Sequence, residues 1–172
     1  MNMADARILN VGCGMDTYGT DFVDRSPMRK GVIRCDFDTD PLPYKTGTFD
    51  EVYLKGVMEH VRNNLNLISE CNRVLKKGGK IIVITANAGL WGFWGSAAHG
   101  KYERDSLEHS CMYALFTPNQ IRNWLEEAGF RKIDLAYLDD KHDAITVRSV
   151  GIAILSKLNK RLKPRIMAIG KK

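Results

Sequence analysis

The chain has 172 residues, 44% of them hydrophobic, and a formal net charge of +6, the size and composition of one globular domain rather than a repeat array or a disordered polyelectrolyte. No run of 18 uninterrupted apolar residues occurs, and no basic segment leads an apolar one at the start; neither a spanning helix nor a secretory leader is expected, and the expected location is cytoplasmic. Cys13, Cys35, Cys71 and Cys111 lack paired metal-ligand spacing, so free thiols in a reducing compartment and no metal centre are the simplest reading.

In chain order, the first predicted element is a strand over Ile8-Leu9-Asn10-Val11 that breaks into Gly12-Cys13-Gly14. Isoleucine and valine favour a pleated strand, whereas glycine permits positive φ and lets a ligand approach the main chain without meeting a Cβ. A strand entering a glycine-rich turn is also a common structural device without any ligand. Two further short strands follow, Phe22-Val23-Asp24 and Val32-Ile33-Arg34-Cys35-Asp36-Phe37, each ending on a carboxylate. A carboxylate so placed can accept the hydroxyls of a ribose; Asp24, before Arg25-Ser26-Pro27, can equally initiate a turn.

The segment Leu42 to Leu54 reads as a turn and a fourth strand, leading into Lys55-Gly56-Val57-Met58-Glu59-His60-Val61. Arg73-Val74-Leu75-Lys76-Lys77-Gly78-Gly79-Lys80-Ile81-Ile82-Val83-Ile84 reads as a helix end, a glycine stop and a fifth strand. With these signatures in register, the chain resembles the class I S-adenosylmethionine-dependent methyltransferases over about residues 7–85, and again from Phe116-Thr117-Pro118 to Ala128-Gly129-Phe130. A dinucleotide fingerprint wants a third glycine at a fixed distance, and position 17 is Thr17.

The resemblance implies an α/β fold with a Rossmann-like, mostly parallel twisted sheet and an antiparallel edge strand, with S-adenosyl-L-methionine as cofactor. It places Gly12, Cys13 and Gly14 beneath the methionine part of the cofactor and Asp24 on the ribose hydroxyls. Asp36 and Phe37 would flank the adenine, and Leu54 and Lys55 would hold the cofactor's amino group through main-chain carbonyls. Only nine residues, Met15 to Val23, separate Gly14 from Asp24, too few for the usual crossover helix. Arg25 to Gly31 is equally short. A short form of the family, with few helices in its N-terminal half and a more open cleft, is therefore expected.

After Thr85 the chain enters a long segment, 86–115, rich in aromatic and titratable residues: Trp91, Phe93, Trp94, His99, Tyr102, Glu103, Asp105, Glu108, His109 and Tyr113. A connection of this length in one domain is expected to form a substrate loop or lid; its aromatics can clamp an acceptor or simply cover the core. Methyl transfer from a sulfonium needs mainly a positioned nucleophile and, for a hydroxyl, a base. His109, seven residues before Phe116-Thr117-Pro118, matches a histidine often found at this place in the family and is the expected base, ahead of His99 and His60. His60 is expected to pack or cap, and His142 to lie in a surface turn.

The charge is uneven. Residues 141–172 hold nine Lys or Arg against one acidic residue, a net +8, leaving −2 for the rest. Ile145, Val147, Val150, Ile152, Ile154, Leu155, Leu158 and Leu162 suggest a basic amphipathic helix, stopped at Pro164, before a last strand over Arg165 to Gly170. Such a helix suits an anionic membrane surface or nucleic-acid phosphates, and equally a helix packed on the sheet with a solvated charged edge. The aromatics are not interleaved with these charges, which argues against a nucleic-acid reader.

The expected protein is therefore one domain, 1–172, that transfers a methyl group to a small-molecule or lipid-like acceptor. A non-catalytic cofactor-binding or partner-binding protein, and a nucleic-acid methyltransferase anchored by the tail, are the alternatives. Against the last, Leu54-Lys55-Gly56-Val57 stands where base-amine methyltransferases carry an Asn-Pro-Pro-Tyr-like element.

Overall fold

The computed structural model describes residues 6–88, 114–138 and 165–172. Within them the chain forms β1 (Ile8–Val11), β2 (Asp21–Asp24), β3 (Val32–Arg34), β4 (Phe49–Lys55), α1 (Asn64–Val74), β5 (Leu75–Ala86), α2 (Pro118–Glu127), β6 (Arg131–Leu138) and β7 (Arg165–Lys171). The strands make one sheet in the order β3-β2-β1-β4-β5-β7-β6. β1 to β5 pair in parallel, and β7 runs antiparallel to both β5 and β6. This is the expected mostly parallel α/β sheet with antiparallel pairing toward one edge. β7 itself lies one place inside that edge, because Ile166, Ala168 and Gly170 alternate as buried residues, whereas no residue of β6 is fully buried. A strand with a buried stripe is best placed in the covered interior of the sheet.

The core follows from alternation in the strands and a stripe on each helix. Leu9, Val11, Val52, Leu54, Ile81 and Val83 are fully buried, each worth about 1.5–3 kcal/mol in burial. α1 turns Leu67, Ile68, Cys71 and Val74 inward, a helical stripe, and Asn63 caps it by accepting the Asn66 N–H.

α2 is defined at both ends by its sequence. Thr117 accepts the Gln120 N–H while the Gln120 side chain accepts that of Thr117, and Pro118 occupies the first turn. At the other end Gly129, at φ +96°, donates to Glu126 O, and Phe130 donates to Leu125 O. This is the paired closure of a Schellman motif.

Two features were set by the short connections. No helix separates β1 from β2 or β2 from β3, as the spacing required, and Met15, Tyr18, Met28 and Ile33 in this half of the molecule remain exposed. The glycine pair after α1, by contrast, is not the helix stop. α1 ends at Val74, the fully buried Leu75 already takes an extended conformation, and Gly78 (φ +78°) sits within β5. The helix end is closed from elsewhere: the Lys172 ammonium donates to Asn72 O at 2.6 Å and Leu75 O at 2.8 Å, a cation on helix-terminal carbonyls.

Residues 89–113 of the expected substrate loop, with His109, and residues 141–164 of the basic tail lie outside the described residues. No helix among the described residues is long and apolar enough to cross a membrane, and no group of three or more His, Cys, Asp or Glu among them is arranged to hold a metal ion.

Candidate cofactor crevice

The strand order reverses direction at β1, with β2 on one side and β4 on the other. In open parallel sheets the crevice beyond the carboxyl ends at such a switch point is where ligands bind. Here it is bordered by the Gly12–Gly14 turn after β1, by Asp24 and by Asp36, and by the chain after β4.

The turn is anchored from beneath: Gly12 and Cys13 donate to Val23 O at 2.9 and 3.3 Å. The two glycines have different reasons to be glycine. At Gly12 (φ +65°) an added Cβ would sit 2.5 Å from Val57 Cγ2, so the residue is required by packing against the chain after β4. At Gly14 (φ +48°) an added Cβ meets nothing within 4 Å; the backbone there is open to a ligand. Cys13 is 4% exposed, and burial, reinforced by the nearby Asp24 charge, pushes its thiol above the usual range. A thiol held in its protonated form is a poor nucleophile.

Asp24 does two jobs in the protein itself. Its Oδ2 accepts the Gly14 N–H and its Oδ1 the Ser26 N–H, both at 2.8 Å. It therefore initiates the turn before Ser26-Pro27 and also fixes the glycine loop. Each oxygen keeps a second lone pair, so neither bond removes its capacity to accept a hydroxyl.

Asp36 Oδ1 meets the Arg25 guanidinium at 3.0 Å and also accepts the Asp38 N–H at 3.1 Å. Phe37 is part of the hydrophobic core at 5% exposure. Its ring is committed to packing. Leu54 is likewise fully buried, while Lys55 is exposed and pairs with Asp16 at 3.7 Å across the mouth of the glycine turn.

Several residues that sequence reasoning passed over organise this crevice. Arg25 is the most connected: besides Asp36 it pairs with Asp38 Oδ2 at 2.8 Å and donates to His60 O at 3.5 Å, tying together the ends of β2, β3 and β4. Burial pushes the Asp38 carboxyl upward, but the N–H groups of Arg62 and Asn63 and the Arg25 guanidinium outweigh it and hold the group below its ordinary value. Arg29 donates to Asp16 O at 2.8 Å and lies 4.0 Å over the Phe22 ring, a cation–π contact. Glu59 is buried and its Oε1 accepts the Ala86 N–H at 2.7 Å. Nothing in the local pattern marks these groups, since their partners are up to 35 residues away.

The expected catalytic histidine, His109, lies outside the described residues. His60 ends the 3-10 turn Met58–His60 after β4, its backbone N–H donating to Val57 O at 2.9 Å.

A family model described as a methyltransferase domain matches residues 3–135. A ubiquinone biosynthesis O-methyltransferase from Xanthomonas oryzae is 26% identical over 160 residues, covering 79% of this chain and 67% of its own length. Among solved structures, an S-adenosylmethionine-dependent methyltransferase from Thermotoga maritima superposes with a TM-score of 0.69 at 16% identity, covering 98% of this chain and 82% of its own. A phosphoethanolamine N-methyltransferase from Haemonchus contortus in complex with S-adenosyl-L-methionine gives 0.63 at 17%, covering 97% of this chain and 48% of its own. With a family model spanning the sheet from β1 into β6, and the crevice where that fold keeps its ligand, the chain belongs to the class I S-adenosylmethionine-dependent methyltransferases.

Proposed function

We propose that this enzyme binds S-adenosyl-L-methionine over the Gly12–Gly14 turn and transfers its methyl group to a small-molecule or lipid-like acceptor bearing a nucleophilic oxygen or nitrogen. The observation that carries the reading is the open backbone at Gly14 held directly against Asp24. A cofactor with a ribose needs that pair: a stretch of main chain without Cβ, and a carboxylate with free lone pairs beside it. In this reading Gly12, Cys13 and Gly14 carry the methionine part, Asp24 the ribose, and Asp36 with the Phe37 backbone the adenine. The Leu54 and Lys55 carbonyls take the amino group.

When bound, the cofactor supplies an already activated methyl group. The chain's task is then to hold the acceptor in line and to take a proton where the acceptor is a hydroxyl. His109 is our candidate for that proton. The Cys13 thiol, held protonated by burial, does not compete as a nucleophile. The Xanthomonas relatives are named for an O-methylation in ubiquinone biosynthesis, which favours a small-molecule hydroxyl as acceptor.

The test is calorimetric titration with S-adenosylmethionine and S-adenosylhomocysteine, with NAD as control. Micromolar binding of the adenosyl ligands alone is expected. Asp24→Ala should weaken it about tenfold or more, the scale of one lost hydrogen bond to a charged group, with the far-ultraviolet spectrum unchanged. Binding of NAD instead, or an Asp24→Ala affinity equal to wild type, would remove the site. Replacing His109 should lower turnover of an identified acceptor more than it lowers cofactor affinity.

A further inference from the structure

Glu59 carries more than its local fold needs. β4 ends at Lys55, and Gly56 still gives its N–H to Ile84 O at 2.9 Å. One rung further along β5, Ala86 pairs with Arg165 of β7 on one side but has no strand among the described residues on the β4 side, whose register ends at Lys55 and Ile84. Glu59, brought back by the 3-10 turn, supplies the acceptor through Oε1 at 2.7 Å. That accounts for one oxygen only. Oε2 has no hydrogen-bond partner among the described residues, and neither has the hydroxyl of Thr85 on the adjoining strand. Glu59, Thr85 and Asn87 are 4%, 2% and 1% exposed, so buried polar side chains occur both on the turn after β4 and at the end of β5.

A glutamine would cap Ala86 equally well. A carboxylate instead leaves an oxygen out of water and unpaired, which costs free energy unless something bound there repays it. The turn lies at the carboxyl ends of β4 and β5, the edge of a parallel sheet where ligands bind. The turn that carries Glu59 begins directly after Val57, whose side chain packs on Gly12 of the glycine turn. The same turn also touches the end of β5, opposite Asp24 and Asp36 across the switch point.

On the reading of this crevice as the cofactor site, we propose that Glu59 Oε2 is the group that recognises the methyl acceptor. It takes a hydrogen bond from an N–H or O–H carried on or beside the nucleophilic atom. The enzyme therefore selects amine, ammonium or hydroxyl acceptors and discriminates against those that present only a carboxylate or an apolar edge. Specificity of this kind is strong because the unfilled partner is already desolvated.

Two cofactor analogues test this without an identified acceptor. S-adenosylhomocysteine lacks the transferring methyl, and sinefungin carries an amine in its place, aimed toward the acceptor. Wild-type protein is expected to bind sinefungin more tightly than S-adenosylhomocysteine. Glu59→Gln should erase that preference by about tenfold, the scale of one charge-assisted hydrogen bond, while S-adenosylhomocysteine affinity and melting temperature hold, since glutamine still caps Ala86. Glu59→Ala should lose the preference and also melt earlier. A Glu59→Gln protein that keeps the wild-type preference, or that weakens on both analogues in parallel, overturns the proposal; in the second case Glu59 serves the cofactor site or the fold. Wild-type protein that binds neither analogue overturns the cofactor reading itself, and this proposal with it.

Discussion

The two ends of the sheet are held together by different physics. Around α2, β6 and β7 the structure is built by burial: Phe130, Ile121 and Leu125 are fully buried, Phe116 stacks edge-on with Trp124, and both ends of the helix are closed by its own sequence. Around β1, β2 and β3, where the crossover helices are missing, the connections are tied by charged side chains. Arg7 pairs with Asp21, Arg25 with Asp36 and Asp38, Lys55 with Asp16, and Arg29 lies on Phe22. Apolar side chains such as Met15 and Met28, 63% and 69% exposed, are left in water there. When helices are removed from one side of a parallel sheet, long-range polar bonds take over the positioning of its loops, and those loops are the ones that border the crevice.

The sharpest way to test this contrast is to remove its apolar pole. Phe130→Ala should cost about 3–5 kcal/mol, the usual range for a buried phenylalanine, measured by urea denaturation. A loss below 1 kcal/mol would show that the C-terminal part is not held by burial. Next in size is Arg73→Met. Arg73 forms a bidentate pair with Glu70 and donates to Leu42 O and Tyr44 O, binding the β3–β4 connection to α1. Its loss should cost about 2–3 kcal/mol, as for several bonds to a charged group, and should speed proteolysis near residues 38–48 before the C-terminal part is cut. Thr117→Ala, which removes only a helix cap, should cost about 1 kcal/mol; hydrogen exchange in the first turn of α2 would report it, with the amides of the glycine turn unchanged.

The smallest effect per group, but the one most specific to the polar half, is the response to acid. The partners Arg7, Lys76 and Arg73 hold Asp21, Asp50 and Glu70 below their ordinary values, and Asp38 is held down as described above. A depressed carboxyl contributes stability above its unfolded pKa, 3.8 for Asp and 4.5 for Glu. That contribution is lost as pH falls through the folded value. All four groups lie between β2 and α1. Lowering pH below about 4.5 should therefore open amides 12–50 to hydrogen exchange before those of α2 and β6, and Glu70→Gln should lessen the acid dependence. Simultaneous opening of both regions would erase the distinction.

Much of the sheet was legible in the sequence because it is written in short range. Alternation and glycine placed β1, β2 and β4, alternation alone the body of β5 but not its start at Leu75, and the segments Phe116-Thr117-Pro118 and Ala128-Gly129-Phe130, read as part of the family resemblance, bracket α2. The nine-residue spacing from Gly14 to Asp24 excluded a first crossover helix. The crevice residues were legible by type and position but not by duty. Asp24 proved to hold Gly14 and Ser26, the Phe37 ring belongs to the core, and Gly12 answers to Val57.

What the chain determines alone, then, is which segments are strands, helices and tight turns, because propensity, capping and periodicity act over a few residues. What only the tertiary structure decides is which distant groups meet. β7 enters between β5 and β6, Lys172 closes α1 a hundred residues earlier in the sequence, Arg25 gathers two aspartates and a carbonyl, and Glu59 reaches Ala86 with one oxygen to spare. These pairings arise from the order of strands and the closeness of their ends, which burial of the whole core selects and no local window contains.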